Sequence, residues 1–302
     1  MKTIILAGGY ATRLHPLTAT RAKPLLPVIG KPIIDHLLSS YNLPARPIVS
    51  TNRRFAAQFA AWQAQSVRNV EIVVEETTAE SEKLGTVGAL HFLIERLEID
   101  EDILVIGGDN LFKFPLADLL AAYKSRPLIA LYDVKDLERV RGRYGVAIVK
   151  DGRIVEFQEK PSAPRSTLAS TACYIYPKET LPLIGEFLAR AETGKDAPGY
   201  FNAWLLKEKG EHIDAFVFET GWYDIGDRAS YIEANQHYSN ADTWLGKDVM
   251  IENSTVTDSV LLDGVKVIDS SISGCVIDRG CHLEGITLHD CLIGEGSIIR
   301  RG

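Results

Sequence analysis

No apolar run in the 302 residues approaches the roughly 18 that a bilayer-spanning helix needs. No membrane partner is therefore expected. Cysteine is scarce, with four residues at 173, 275, 281 and 291. They form no CxxC pair and have no histidine at zinc-ligand spacing, which excludes a zinc module and a disulfide framework. Positive charge is in deficit: 33 Lys and Arg stand against 40 Asp and Glu, a formal net charge of −7. Sequence-independent binding to nucleic acid or to anionic lipid needs a basic surface, so no nucleic-acid partner is expected either. A local basic pocket for phosphates remains compatible with that balance. The opening, MKTIILAGGYATRL, runs from a short apolar stretch into Gly8-Gly9 and not into a cleavage-site pattern. It reads as a strand and a turn, not a signal peptide, and points to a cytoplasmic chain with reduced, mostly structural cysteines.

What is present is the composition of a globular protein, 46% hydrophobic and 24% charged, with ample length to bury a core. Up to about residue 235, short apolar runs alternate with helical patterns. Lys2–Leu6, 45–51, 70–74 and 103–106 read as buried strands. The stretches 54–65 and 87–97 carry apolar residues at helical spacing, and 32–40 reads as a helix start. Strand–helix alternation of this kind indicates a parallel sheet with helices on both faces. Further strands are expected at 128–132, 144–150, 153–158 and 172–176, with Asp151-Gly152 as a hairpin turn. The sheet is therefore mixed: an α/β class, mostly parallel and Rossmann-like.

After about residue 240 the texture changes. Blocks of sixteen beginning at Trp244, Val260, Val276 and Leu292 align with one another. Apolar residues recur in register at Leu245/Leu261/Ile277/Ile293, Ile251/Val267/Leu283/Ile299 and Val256/Ile272/Leu288, and Gly264, Gly280 and Gly296 share a column. A short period with β-branched residues and fixed glycines predicts a solenoid of stacked β-coils. The expected division is a domain over 1–240 and a coil domain over 241–302. An open last coil exposes unpaired strand edges and apolar ends, which association with other copies would cover, so a homo-oligomer through the coils is expected.

The loop after the first strand, Leu6-Ala7-Gly8-Gly9-Tyr10-Ala11-Thr12-Arg13-Leu14, can bring bare backbone and its N–H groups close to anionic oxygens. It fits neither GxGxxG nor GxxxxGK[ST], so the usual dinucleotide and P-loop readings fail. The longer run LAGGYATRLHPLTATRAKPLLPVIGKP strongly resembles the signature of the sugar-1-phosphate nucleotidyltransferases, also called NDP-sugar pyrophosphorylases. In the order of that family, 84–90 (LGTVGAL) looks like the base-side segment and 107–110 (GGDN) like a metal-binding strand end. Similarly, 144–146 and 157–161 look like sugar-phosphate segments, and 221–226 (GWYDIG) like a second metal segment. Family members often carry a left-handed β-helix tail, which the sixteen-residue repeat resembles.

The resemblance implies that an NTP and a sugar 1-phosphate give an NDP-sugar and pyrophosphate, with a sugar-phosphate oxygen attacking the α-phosphorus in line. Both reactants are polyanions, so the protein must mainly position them and neutralise charge. The implied nucleotide residues are Leu6, Gly8, Gly9, Thr12, Arg13, Lys23, Gly85, Gly108 and Asp109, with Arg13, Lys23 and Asp109 in catalytic roles. Arg13 would hold the triphosphate and Lys23 the reacting phosphate. Tyr144, Gly145, Glu159 and Lys160 would bind the sugar phosphate, Lys160 as its anchor and Glu159 as an acceptor for sugar hydroxyls. Asp109 and Asp224 would hold Mg²⁺ together with substrate phosphates, the arrangement a hard cation takes. The sequence departs from the family pattern at Ala11 and Ala172, both positions where glycine is usual.

The base is less constrained. Guanine offers two neighbouring N–H donors that suit a carboxylate, whereas uracil and thymine suit an amide. The stretch before Gly85 holds Glu75, Glu76, Glu80 and Glu82 and no Gln. Backbone groups near Gly85 can still read a pyrimidine, and Gly108-Asp109-Asn110 resembles the thymidylyl and uridylyl enzymes more closely. The expectation is therefore dTTP or UTP with glucose 1-phosphate. The alternatives are GTP with mannose 1-phosphate, or a noncatalytic regulatory relative, against which Arg13, Lys23 and both aspartates speak.

Overall fold

The computed structural model describes residues 1–40, 46–66, 69–190 and 197–301. These form two compact units, Met1–Gly9 with Leu37–Trp222 and Tyr10–His36 with Tyr223–Gly302. Among the described residues no helix is long and apolar enough to cross a membrane.

The first unit is built on one nine-stranded mixed sheet. Its strands are β1 (Lys2–Leu6), β2 (Ile48–Asn52), β3 (Glu71–Glu75), β4 (Ile103–Gly107), β5 (Leu128–Asp133), β6 (Val146–Lys150), β7 (Arg153–Gln158), β8 (Leu168–Tyr176) and β9 (Ile213–Phe218). They lie in the order β3-β2-β1-β4-β8-β5-β9-β7-β6. The first four run parallel, β8 is antiparallel to both β4 and β5, and β9 returns parallel to β5. The expected mixed α/β sheet is thus observed, and β1 and β7 keep their expected ends. Ala45, included in the expected second strand, lies outside the described residues.

The helices follow the apolar spacing. Ile33–Ser40 is α1, Ala56–Gln65 α2 and Gly85–Arg96 α3. From α3, Val87, Leu90, Leu93 and Ile94 enter the core beside Ile4, Ile48 and Val105 of the sheet. Two later helices, α4 (Leu181–Arg190) and α5 (Pro198–Glu208), add Ile184, Phe187, Phe201 and Leu205. Each such side chain stabilises the fold by about 1.5–3 kcal/mol on burial, before its ordering entropy is subtracted. Asp151 and Gly152 both adopt positive φ, 50° and 73°, as a type I′ turn between β6 and β7 requires.

Two strands depart from the expectation by more than a few residues at their ends. The strand expected at 172–176 begins earlier, at Leu168, because its register against β5 shifts between Ser170 and Tyr174. Ala172 sits inside that irregularity at φ 52°. β9 escapes a pattern reading because its second residue, Asp214, is a nearly buried acid held by Arg126 at 2.8 Å.

The second unit contains α6 (Arg228–Ser239) and three parallel ladders of short strands. Asp227 caps α6 by accepting from Ser230 N at 2.9 Å, and Asn240 ends it in the left-handed conformation. The ladders carry the sixteen-residue period. Leu245 pairs with Leu261, Ile251 with Val267 and Val256 with Ile272, and the same columns continue through the later coils. From Leu261 onward the column side chains, with Cys275 and Cys281, form the interior, whereas Leu245 and Ile251 of the first coil are exposed. Gly264, Gly280 and Gly296 turn the chain at φ 72°, 64° and 69°. This is the arrangement of a parallel β-helix.

One feature of the coils had no sequence signal: at two corners, a side chain accepts from the next coil's backbone. Ser254 Oγ accepts from Ser270 N at 2.9 Å and Ser270 Oγ from Ile286 N at 3.1 Å. Ser259 Oγ accepts from Cys275 N at 3.0 Å, and Cys275 Sγ from Cys291 N at 3.4 Å. All four cysteines are free thiols.

The compact units do not follow the change of texture at 240. The early segment 10–36 groups with the tail through contacts of its own. Ile29 N donates to Asn235 Oδ1 at 2.9 Å, the Tyr231 hydroxyl donates to Pro27 O, and Gly30 faces the Trp244 ring.

The two alanines that replace expected glycines both adopt left-handed backbone, Ala11 at φ 50° and Ala172 at φ 52°. For an L-residue this costs about 1–2 kcal/mol, while glycine forfeits about 0.5–1 kcal/mol of unfolded-state entropy. Ala11→Gly and Ala172→Gly should therefore each stabilise the protein by about 0.5–1 kcal/mol in denaturant titrations. A loss of stability in either variant would contradict the assigned backbone.

Candidate active site

In the first unit the expected residues gather at the carboxyl ends of β1 and β4. These strands are neighbours, and Leu6 pairs with Gly107. Gly108 N donates to Leu6 O at 2.8 Å. A Cβ on Gly108 would stand 3.0 Å from that oxygen, so only glycine fits comfortably. Beyond β1, a Cβ on Gly8 would meet the Glu75 carboxylate at 3.0 Å, whereas Gly9 faces open space.

A buried polar platform supports this loop. Ser50 Oγ donates to Glu75 Oε1 at 2.6 Å, Asn52 Nδ2 donates to Gly8 O at 3.0 Å, and Asn52 Oδ1 accepts from Phe55 N at 3.1 Å. Ser50, Asn52 and Glu75 are all buried, Asn52 and Glu75 as the last residues of their strands and Ser50 two residues before the end of β2. Burial pushes the Glu75 carboxyl above the ordinary carboxylate range, and the Ser50 hydroxyl partly opposes the shift. Sequence reasoning weighed Glu75 only as a base contact and missed Ser50 and Asn52. The available signal was a polar SerThrAsn end on an otherwise apolar strand.

Asp109 follows β4 directly. Its Oδ1 accepts from Asn110 Nδ2 at 2.6 Å, and Asn110 Oδ1 accepts from Trp222 Nε1 at 2.7 Å. The Trp222 ring lies 4.9 Å from that of Tyr144. The carboxylate is thus aimed through a buried amide and an indole, neither of which was predicted to have that task. Carboxylate oxygens are the donors a hard divalent cation takes, so Asp109 fits the Mg²⁺ expectation chemically. Among the described residues no group of three or more His, Cys, Asp or Glu converges as a closed metal site. An ion at Asp109 would complete its shell with phosphate and water oxygens.

Tyr144, Gly145, Glu159 and Lys160 occupy the neighbouring part of the same unit. Glu159 Oε2 would lie 2.8 Å from a Cβ on Gly145 and 1.9 Å from one on Gly199, so two bare glycines frame its carboxylate. Burial raises its pKa and the adjacent Lys160 opposes the rise. Lys160 is left-handed at φ 44°, a strained conformation that fixes where its side chain departs. Gly85 opens α3 at φ 72°. Gly199, in the first turn of α5, is a participant that the sequence did not reveal.

The remaining expected residues belong to the second unit. Ala11 leads into a short turn, Thr12–Leu14, and Thr18 Oγ1 donates to Ala11 O at 2.8 Å. The Arg13 guanidinium lies against Gly226, where a Cβ would be 3.0 Å from it. Gly226 N in turn donates to Asp224 O at 2.8 Å, so Arg13 and the Asp224 turn are neighbours. Lys23 begins a second turn, Lys23–Leu25, and is largely buried.

Comparison with known proteins gives the context. A family model described as nucleotidyl transferase matches residues 2–241. A Sulfolobus acidocaldarius protein, provisionally named mannose-1-phosphate guanyltransferase, is 30% identical over 239 residues. The match covers 78% of this chain and 62% of that relative, so the chain spans about three-fifths of its length. A Bacillus anthracis crystal structure in complex with sucrose, provisionally named glucose-1-phosphate thymidylyltransferase, superposes with a TM-score of 0.64 at 26% identity. It covers 78% of this chain and 94% of its own.

The raised pKa of Glu75 has a stability consequence. A carboxyl raised in the folded state stabilises the fold below its unfolded value, and that contribution is lost as pH rises through the folded value. Glu75→Gln keeps an acceptor for Ser50 and removes the titration. Its melting temperature relative to the parent should climb between about pH 4.5 and pH 7. A constant difference across that range would show that the buried carboxyl does not titrate as described.

Proposed function

The chain belongs to the nucleotidyl transferase family, and on that footing we propose that it transfers a nucleotidyl group from an NTP to a sugar 1-phosphate. The observation that carries the reading is the pairing of bare backbone at Gly8 and Gly108 with the aimed carboxylate of Asp109, beside the glycine-framed Glu159. In open α/β sheets, this carboxyl edge beside a central strand is where ligands bind.

In the proposed reaction an oxygen of the sugar phosphate attacks the α-phosphorus. The new P–O bond forms as the α–β bridge breaks, and pyrophosphate leaves with the electron pair. Leu6, Gly8, Gly9, Thr12, Gly85 and Gly108 line the nucleotide. Arg13 suits the triphosphate because its planar fork matches phosphate oxygens, and Lys23 supplies a compact charge at the reacting phosphate. Lys160 and Tyr144 receive the sugar phosphate, and Glu159 accepts from sugar hydroxyls over the bare Gly145. Asp109 and Asp224 would hold Mg²⁺, which when bound supplies charge neutralisation at the phosphates. The cytoplasm, where NTPs are abundant, is the setting this chemistry suits.

For the substrates we favour dTTP or UTP with glucose 1-phosphate, in line with the Gly-Asp-Asn form at 108–110 and with the name of the Bacillus structure. A second reading, GTP with mannose 1-phosphate, is supported by the buried Glu75 carboxylate against Gly8 and by the name of the Sulfolobus relative. Catalytic residues are assigned within 1–240, and 241–302 is taken as a left-handed β-helix whose outer face joins copies of the chain. Ile298 and Met250 share one outward column of that face, with 67% and 43% exposure.

Three measurements test these assignments. Pyrophosphate release should be seen with glucose 1-phosphate and dTTP or UTP, and Asp109→Asn or Asp224→Asn should lower turnover at least about 100-fold. Metal-free nucleotide binding should change little in both variants. Near-parental turnover at saturating Mg²⁺ would remove that aspartate from the metal site, and use of GTP with mannose 1-phosphate alone would select the second reading. In light scattering the parent should be an oligomer whose mass falls in Ile298→Asp. A monomeric parent at micromolar concentration would end the association claim.

A further inference from the structure

Two rungs of one ladder column are specialised to receive the segment that carries Arg13 and Lys23. The column comprises Gly246, Leu262, Asp278 and Gly294, the last three each following a residue of the coil interior, Leu261, Ile277 or Ile293. Such positions point away from the coil interior, yet Leu262 is 1% and Asp278 2% exposed. Asp278 is the column's one acid, and Arg21 meets it there: Arg21 NH1 lies 3.3 Å from Asp278 Oδ1. The same guanidinium reaches the last coil, with NH2 3.2 Å from Glu295 Oε2. One rung on, glycine replaces a side chain where Pro16 presses in, since a Cβ on Gly294 would be 3.1 Å from Pro16 Cβ and Cγ.

Arg21 and Pro16 flank the catalytic candidates closely. Arg21 stands two residues before Lys23, directly ahead of the turn in which Leu25 N donates to Ala22 O at 2.9 Å. Pro16 stands three residues after Arg13. A guanidinium held between a buried and an exposed carboxylate fixes the backbone around it more firmly than a surface ion pair would, since separating the buried partners leaves an unpaired charge. We propose that Asp278, acting through Arg21 and beside the Gly294–Pro16 contact, positions the segment bearing Arg13 and Lys23. The coils then form part of the nucleotide-binding apparatus, with Arg21 and Asp278 as positioning residues. The inference rests on the nucleotidyl-transfer reading for the tasks of Arg13 and Lys23.

The test uses the full chain. Asp278→Asn is nearly isosteric and keeps an acceptor for Arg279 N, which donates to Asp278 Oδ1 at 2.8 Å. It removes only the charge facing Arg21. A misplacement of the segment should lower kcat/KM for the NTP by about 10- to 100-fold. KM for the sugar 1-phosphate should stay within about twofold, because Tyr144, Glu159 and Lys160 are not touched. Arg21→Ala should act alike, and the double variant should be no worse than either single one. Arg300→Ala, which breaks the exposed pair with Glu284 at 3.2 Å, should leave kinetics and exchange unchanged. Amide exchange over 10–36 should quicken about tenfold in Asp278→Asn while β1–β4 keep their protection. Additive effects of the two variants, or parental NTP kinetics in Asp278→Asn, would overturn the proposal. Exchange is read without substrate, so a parent that turns over no NTP would refute the reaction and not the anchoring. Unchanged exchange over 10–36 would refute the anchoring itself.

Discussion

The first unit depends on β1 having a parallel neighbour on each side. A strand so placed is buried on both faces, which suits the apolar centre of Lys2–Leu6, with Thr3 the one polar side chain fully buried along it. Chain leaving its carboxyl end meets the ends of β2, β3 and β4, all pointing the same way. Polar groups gather toward that edge: Ser50 at the middle and Asn52 at the end of β2, Glu75 at the end of β3, and Asp109 just beyond β4. The concentration of chemistry there follows from parallel pairing itself, before any ligand is considered.

Close backbone approach is the second constraint. Where β1 and β4 end, the hydrogen bond from Gly108 to Leu6 brings two backbones within the reach of one missing methyl group. The same device recurs around Glu159, framed by Gly145 and Gly199. In both places a bare backbone lets a carboxylate or carbonyl take a position that any side chain would occupy. Burial then raises Glu75 and Glu159 together, so the edge carries carboxyls poised differently from those on the surface.

Much of this was readable in the sequence because local patterns and global packing agree. Short apolar runs and helical spacings gave all of the sheet but β9, and the sixteen-residue columns gave every ladder pairing from Trp244 onward. Short motifs delivered Gly8, Gly108, Asp109 and Glu159 to one unit. What stayed hidden depends on contacts distant in sequence or on irregular backbone. The Asn110–Trp222 link joins residues 112 apart, and Gly199 matters only because Glu159 folds against it. β8 looked short because Ala172 breaks its register, and β9 was masked by the acid Asp214. The grouping of 10–36 with the tail had no signature, since a motif of catalytic type says nothing of which body it packs on.

The corner bonds of the coils are unequal along the tail. Ser259 N reaches Thr243 Oγ1 only at 3.5 Å; between the coils that follow, hydroxyls accept at 2.9–3.1 Å except at Cys275, where sulfur, a weaker acceptor, stands at 3.4 Å. In a linear stack each coil is stabilised only by its neighbours, so unfolding starts where the coupling between coils is least. Between those coils the sulfur step from Cys275 to Cys291 is the weakest of these corner couplings, so neighbouring coils should part there first. The tail would behave less like a folding domain than like a short one-dimensional crystal that parts at a flaw.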